Sequence, residues 1–193
     1  NKNKAQNRLK GFDRMIDGEF FFHYDTTQLQ KVIDFFKPED IVDISKKIHG
    51  TSIIIGKLHV KKQIKLPFMK ALYNKFVDLT HMTLFGKRFI DYEVVYGPIF
   101  SSRKVIKNCY INENVSSGYY STDVWNEYGQ IIYPYLDEGM TVYGEICGYE
   151  TGLPKYIQKM YDYGCAEGEN FIMFYRISTT NEDGTKKEWE VPE

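Results

Sequence analysis

The segment Lys46-Lys47-Ile48-His49-Gly50-Thr51-Ser52 places a primary amine three residues before a glycine, between two stretches rich in β-branched residues. A glycine lets the backbone approach a phosphate closely, because no Cβ stands in the way. The amine is a nucleophile once it loses its proton, and desolvation or nearby cations such as Lys46 and the Lys61/Lys62 pair would favour that loss. Attack on phosphorus is therefore chemistry that this segment could perform. The same spacing also suits a solvated lysine on a β-turn, so the segment alone does not decide.

Three later segments bear on it. Lys47-Ile48-His49-Gly50-Thr51 resembles the nucleotidyl-acceptor motif of the ATP-dependent RNA ligases, in the form found in the phage-type RNA ligase 2-like family of the covalent nucleotidyltransferase superfamily. Most of that superfamily has Asp where this chain has His49. Ser102-Arg103-Lys104 resembles the family's second motif, Val142-Tyr143-Gly144-Glu145-Ile146 its third, and Phe174-Tyr175-Arg176-Ile177 the adjoining strand motif. The four occur in the family's order, and the resemblance covers roughly residues 20–178. Two departures are Lys46, where relatives often have Glu, and Ser52, where they often have Asn.

The resemblance implies an N-terminal adenylyltransferase portion and a mechanism. Lys47 would attack the α-phosphate of ATP, expel pyrophosphate and become lysyl–AMP. AMP would pass to an RNA 5′-phosphate, and a 3′-hydroxyl would displace it to seal the strand. Such steps rest on positioning and charge stabilisation. Arg103 would grip phosphate oxygens with its planar donors. Glu145 would accept from a ribose hydroxyl, and Tyr175 would stack on adenine unless it merely packs with Phe171, Met173 and Ile177. Ile48 and Gly50 would complete the nucleotide-binding loop, while His49 would either stabilise the turn or donate near phosphate. His23-Tyr24-Asp25 is a further segment that could reach the site. The implied cofactors are ATP and Mg2+, with no metal ligands nominated, and the implied partners are RNA ends, single-stranded or in a nicked duplex. The family's later Glu-Gly-apolar and Lys-x-Lys motifs do not occur, so the chain is expected to be a fragment incomplete at its C-terminus. A GTP-using capping relative, a DNA ligase relative and a catalytically silent nucleotide- or RNA-binding module are the alternatives.

The elements that must hold these residues read as α+β, with mainly antiparallel β-sheet and a few flanking helices, as expected of a nucleotidyltransferase (ATP-grasp-like ligase) domain. Residues 1–18 form a polar N-terminal segment and residues 19–193 the domain. Residues 18–24 read as a strand. The spacing of Leu29, Val32, Ile33 and Phe36 predicts a helix ended by Pro38. Residues 41–44 and 52–60 predict a strand–turn–strand, and residues 64–80 a helix with Leu72, Phe76 and Leu79 on one side. Residues 89–96 and 99–106 read as two strands split by Gly97-Pro98. Ser121 would cap a helix with Val124, Trp125, Tyr128, Ile131 and Ile132 inward. Residues 141–149 and 170–178 read as strands, and Asn181 to Gly184 as a hairpin turn into residues 187–191.

Composition bounds the rest. In 193 residues, 42% are apolar and 26% charged, a globular balance. No apolar run approaches the roughly 18 residues that span a bilayer. Cys109, Cys147 and Cys165 form no CxxC pair, which points to free thiols in a reducing, cytoplasmic compartment. The net charge of −1 conceals an asymmetry: residues 1–107 carry 20 Lys and Arg against 11 Asp and Glu, and residues 108–193 carry 5 against 15. A basic face of the kind that binds nucleic acid is compatible with this, unless the fold interleaves the halves.

Overall fold

The computed structural model describes residues 12–24, 26–42, 44, 46–81, 87, 89–111, 119–181 and 184–189. Its centre is strand β2 (Thr51–Gln63), whose β-branched run is buried at Ile53, Ile54, Ile55, Leu58 and Val60. β2 pairs on one side with β3 (Tyr92–Ser101) and on the other with β5 (Met140–Gly148), which pairs with β6 (Asn170–Thr180), then β7 (Lys186–Trp189). All four pairings are antiparallel. Two short strands, β1 (Phe12–Asp13) and β4 (Tyr110–Ile111), make a separate ladder. The architecture is α+β with a five-stranded antiparallel sheet and few helices, as the sequence indicates.

Alternation along the strands gives the sheet two faces. One carries Ile53, Ile55, Phe100, Val142 and Ile146, packed under Val124 and Trp125 of helix α2 (Val124–Ile132) with Tyr128 and Ile132 at the edge. The other carries Leu58, Val60 and Ile99, covered by Met15, Phe20, Val95 and Ile106. The α2 N-cap is Asp123, which accepts from the Asn126 amide at 3.1 Å, so Ser121 is not the cap. Ile131 faces outward at 60% exposure, contrary to the inward reading. The Trp125 indole donates to the Ser52 carbonyl at 3.0 Å and pins the helix to the start of β2.

Five expectations are corrected. Residues 20–24 form no strand but cross the sheet face, tied down where the Tyr143 hydroxyl donates to the Phe21 carbonyl at 3.3 Å. The spacing at Leu29–Phe36 yields two 3₁₀ turns, Leu29–Lys31 and Ile33–Phe35, because no neighbour covers Leu29, Ile33 or Phe36, and packing is what sustains such a helix. Ile41 and Ile44 are 97% and 93% exposed and lie in no strand, so the Lys47 segment enters β2 from a loop rather than a hairpin. Helix α1 (Phe68–Thr80) starts at Pro67 as its cap, and Leu72, Phe76 and Leu79 are exposed rather than packed. Finally, Gly97-Pro98 does not split β3. The Pro98 carbonyl turns outward, to Asn108 Nδ2 at 2.9 Å and Arg14 Nη2 at 3.3 Å. The missing N–H therefore lies on the outer edge, where no strand needs a donor.

Gly129 fixes how closely α2 seats on the sheet. A Cβ there would lie 2.5 Å from Cγ of the buried Phe100 ring. On an open helix, Gly→Ala would stabilise by about 1 kcal/mol. Here overpacking reverses the sign, so Gly129→Ala is expected to lose about 1–3 kcal/mol in urea unfolding.

Candidate active site

The Lys47 loop is held by three backbone attachments. The Gly50 amide donates to Glu145 Oε1 at 3.1 Å. The His49 amide donates to the Tyr163 hydroxyl at 2.7 Å, and the Cys147 thiol donates to the His49 carbonyl at 3.8 Å. Register explains the first: Ser52 stands opposite Glu145 and Thr51 opposite Ile146, so Gly50 lies against β5 just before the ladder begins. Only glycine fits there, since a Cβ would come within 2.1 Å of the Ile146 carbonyl oxygen. Lys47 is exposed at this loop, Ile48 is half-buried and His49 packs its ring 4.9 Å from Tyr161.

Electrostatics bring the other candidates to the same carboxylate. Burial raises the Glu145 pKa; the Gly50 hydrogen bond and then the charges of Lys47, Arg103 and His49 pull it back without cancelling the rise. The other three sequence candidates for chemistry, Lys47, His49 and Arg103, thus all act on Glu145, although the four lie up to 98 positions apart in the chain. Arg103 is exposed in the tight turn after β3, where Ser102 N–H donates to the Val105 carbonyl at 2.9 Å and Lys107 N–H to Phe100 at 2.7 Å. Burial, helped by Glu145, pushes the Cys147 thiol up to about 12. At neutral pH it is a neutral donor to the loop and no rival nucleophile.

Tyr175 reaches the site through a β-bulge. Tyr143 pairs with Arg176 and Gly144 with Phe174, leaving Tyr175 as the extra residue. The bulge changes the parity of β6: Phe174 and Ile177 both pack into the α2-side core. Ile177 therefore does not share a face with Met173 and Tyr175, and Tyr175 is 44% exposed. Burial raises the Tyr175 pKa, Ser52 lowers it and the Glu145 charge raises it. His23 lies edge-on to the Tyr175 ring at 5.4 Å. Arg176 sits between the Tyr24 and Tyr143 rings, 4.4 and 4.5 Å from their centroids, and pairs with Glu188. Asp25 lies outside the described residues.

The Lys61/Lys62 pair does not assist Lys47. Ten residues of extended strand, at about 3.3 Å each, put it about 30 Å away, where Lys62 pairs with Glu93 at 2.9 Å. Tyr161 and Tyr163 are site residues that sequence reasoning missed. They come from the loop after β5, and Tyr163 has a φ of 53°, a contact and a conformation that no local pattern announces.

Among the described residues no group of three or more His, Cys, Asp or Glu could hold a metal ion. Glu145 is the carboxylate at the Lys47 loop, and one of its oxygens is engaged by Gly50. It suits a hydroxyl acceptor better than a magnesium ligand, and these residues do not by themselves form a magnesium site. The three cysteines are free thiols, and among the described residues no helix is long and apolar enough to cross a membrane. No protein-family model matches the chain, and neither a curated protein nor a solved structure does.

Two outcomes follow. Gly50→Ala must lift the loop off β5; it is expected to lose about 1–3 kcal/mol by overpacking and to detach Gly50 from Glu145. Glu145→Gln keeps an acceptor for Gly50 but removes the charge. Because the folded-state pKa is raised, the native wild type binds its proton more tightly than the unfolded chain, so its stability falls as pH rises through the window above 4.5. The stability of Glu145→Gln relative to wild type should therefore increase from pH 4 to pH 8 in urea titrations.

Proposed function

We propose that this chain carries out the adenylyl-transfer chemistry of an ATP-dependent RNA ligase, with Lys47 as the acceptor. The observation that carries the reading is the hydrogen bond that ties the Lys47 loop to Glu145 through the Gly50 amide, with the charges of Lys47, Arg103 and His49 favouring that carboxylate's ionisation. A purine nucleotide satisfies this arrangement. Its ribose hydroxyl donates to Glu145, its base lies against the exposed Tyr175 ring, and its phosphates meet the cationic side formed by Lys47 and Arg103. The deprotonated Lys47 amine attacks the α-phosphorus in line. The bond to the β-phosphate oxygen breaks, pyrophosphate leaves with the electron pair and the amine's remaining excess proton passes to solvent. An RNA 5′-phosphate oxygen then displaces lysine from the adenylyl group, and a 3′-hydroxyl displaces AMP to join the strands. The protein's contribution is placement and charge, as phosphoryl transfer requires.

Incubation with α-labelled ATP and magnesium should label the protein covalently, and Lys47→Ala should abolish the label. Arg103→Gln should slow labelling about a hundredfold, as expected when one donor to a charged transition state is lost. Tyr175→Ala should raise the ATP concentration needed for half-maximal labelling about tenfold, the scale of one lost base stack. Labelling by GTP in preference to ATP would favour a capping-type enzyme. Nucleotide binding with no adduct would leave a silent binding module.

A further inference from the structure

Residues 20–24 cross the open face of the sheet, and the contacts that hold them there converge on Tyr175. The segment is clasped at Phe21: its carbonyl accepts from the Tyr143 hydroxyl at 3.3 Å, and its ring centroid lies 3.2 Å from Lys186 Nζ. Beside this clasp, the Arg176 guanidinium lies 4.4 Å from the Tyr24 ring centroid and 4.5 Å from that of Tyr143. Among the described residues its Nη2 has Glu188 as acceptor, while Nε and Nη1 are buried with none. Two aromatic faces therefore do most to fix this cation. A guanidinium suits the place because it is planar and weakly hydrated, whereas an ammonium is a point charge that does not stack.

This stack is joined to Tyr175 in two ways. Arg176 follows Tyr175 in the chain, and the bulge at Tyr143/Gly144 turns both toward the same face. His23 lies on the Tyr24 ring, with centroids 5.4 Å apart and planes at 21°, and stands edge-on to Tyr175 at 5.4 Å and 72°. The crossing segment, β5 and β6 thus meet at one ring. We infer that the Tyr24–Arg176–Tyr143 stack is a positioning device for nucleotide binding, which holds Tyr175 at the angle at which a base lies against it. Tyr24 and Arg176 act through Tyr175 and do not touch the reacting atoms. That the ligand is ATP rests on the reading above; the placement of the ring does not.

The test titrates ATP and magnesium calorimetrically into the full chain carrying Lys47→Ala, so that affinity is read without chemistry. Tyr24→Ala should weaken binding about fivefold, the scale of one lost cation–π contact. Tyr24→Phe, which keeps the ring, should recover the affinity. Arg176→Lys keeps the charge but not the planar stack, and should bind as weakly as Tyr24→Ala. Added to Tyr175→Ala, Tyr24→Ala should weaken binding no further. With native Lys47, the effect of Tyr24→Ala should fall on the ATP concentration for half-maximal labelling rather than on the maximal rate. In the free protein, Tyr24→Ala should shift the Tyr175 ring resonances in NMR spectra. Tyr24 is 57% exposed, so its truncation empties no core and the test does not depend on the Arg176 variant. Losses that add in the Tyr24→Ala, Tyr175→Ala double variant overturn the inference, as do Tyr175 resonances indifferent to Tyr24→Ala. If the parent chain binds no ATP, the ligase reading fails, and the ring resonances alone decide whether the stack positions Tyr175.

Discussion

A half-buried carboxylate must either take up a proton or find donors, and Glu145 finds one in the backbone of Gly50. That bond forms because residue 50 has no side chain, which lets the loop lie against the Ile146 carbonyl. Everything proposed for Lys47 depends on this contact. It fixes a lysine-bearing loop with no secondary structure of its own against β5, at the carboxylate whose ionisation Lys47 and Arg103 favour. Tyr163 and Cys147 hold the preceding residue, His49, so the loop is fixed at consecutive backbone groups while the Lys47 side chain stays exposed.

The sheet serves the same end. β2 is flanked by β3 and β5, so the turn that ends β3 and the carboxylate of β5 stand on either side of the loop that precedes β2. One face is filled by α2 and gives rigidity. The other is covered at its middle by the N-terminal segment and left open where the candidate residues gather. The bulge at Tyr143/Gly144 supplies the last piece, placing Tyr175 and Arg176 on the open face while Phe174 and Ile177 remain in the core. Bulges commonly re-aim a side chain beside a site in this way.

Local pattern showed the long strands and α2, since β-branched runs and helical spacing both survive into the fold. It also showed the four short motifs, and period-two alternation along β5 put Glu145 and Cys147 on one face. It failed where partners decide. Leu29, Ile33 and Phe36 have helical spacing but stand exposed, and Ile41 and Ile44 have strand-like character but pair with no strand among the described residues. The bulge at Tyr175 inverted an alternation that looked regular, and Pro98 was acceptable in β3 because that strand lies at an edge. Tyr163 meets His49 across 114 residues, a distance no window along the chain can span.

The contact at Gly50 can be observed directly. In a pH titration followed by amide NMR, the Gly50 resonance should move with the ionisation of Glu145, with a midpoint above 4.5, and this response should vanish in Glu145→Gln. Slow exchange of that amide with solvent should accompany it. A Gly50 signal indifferent to pH and to the substitution, exchanging as fast as an unstructured peptide, would mean that the loop is not held at the carboxylate and that Lys47 has no site to serve.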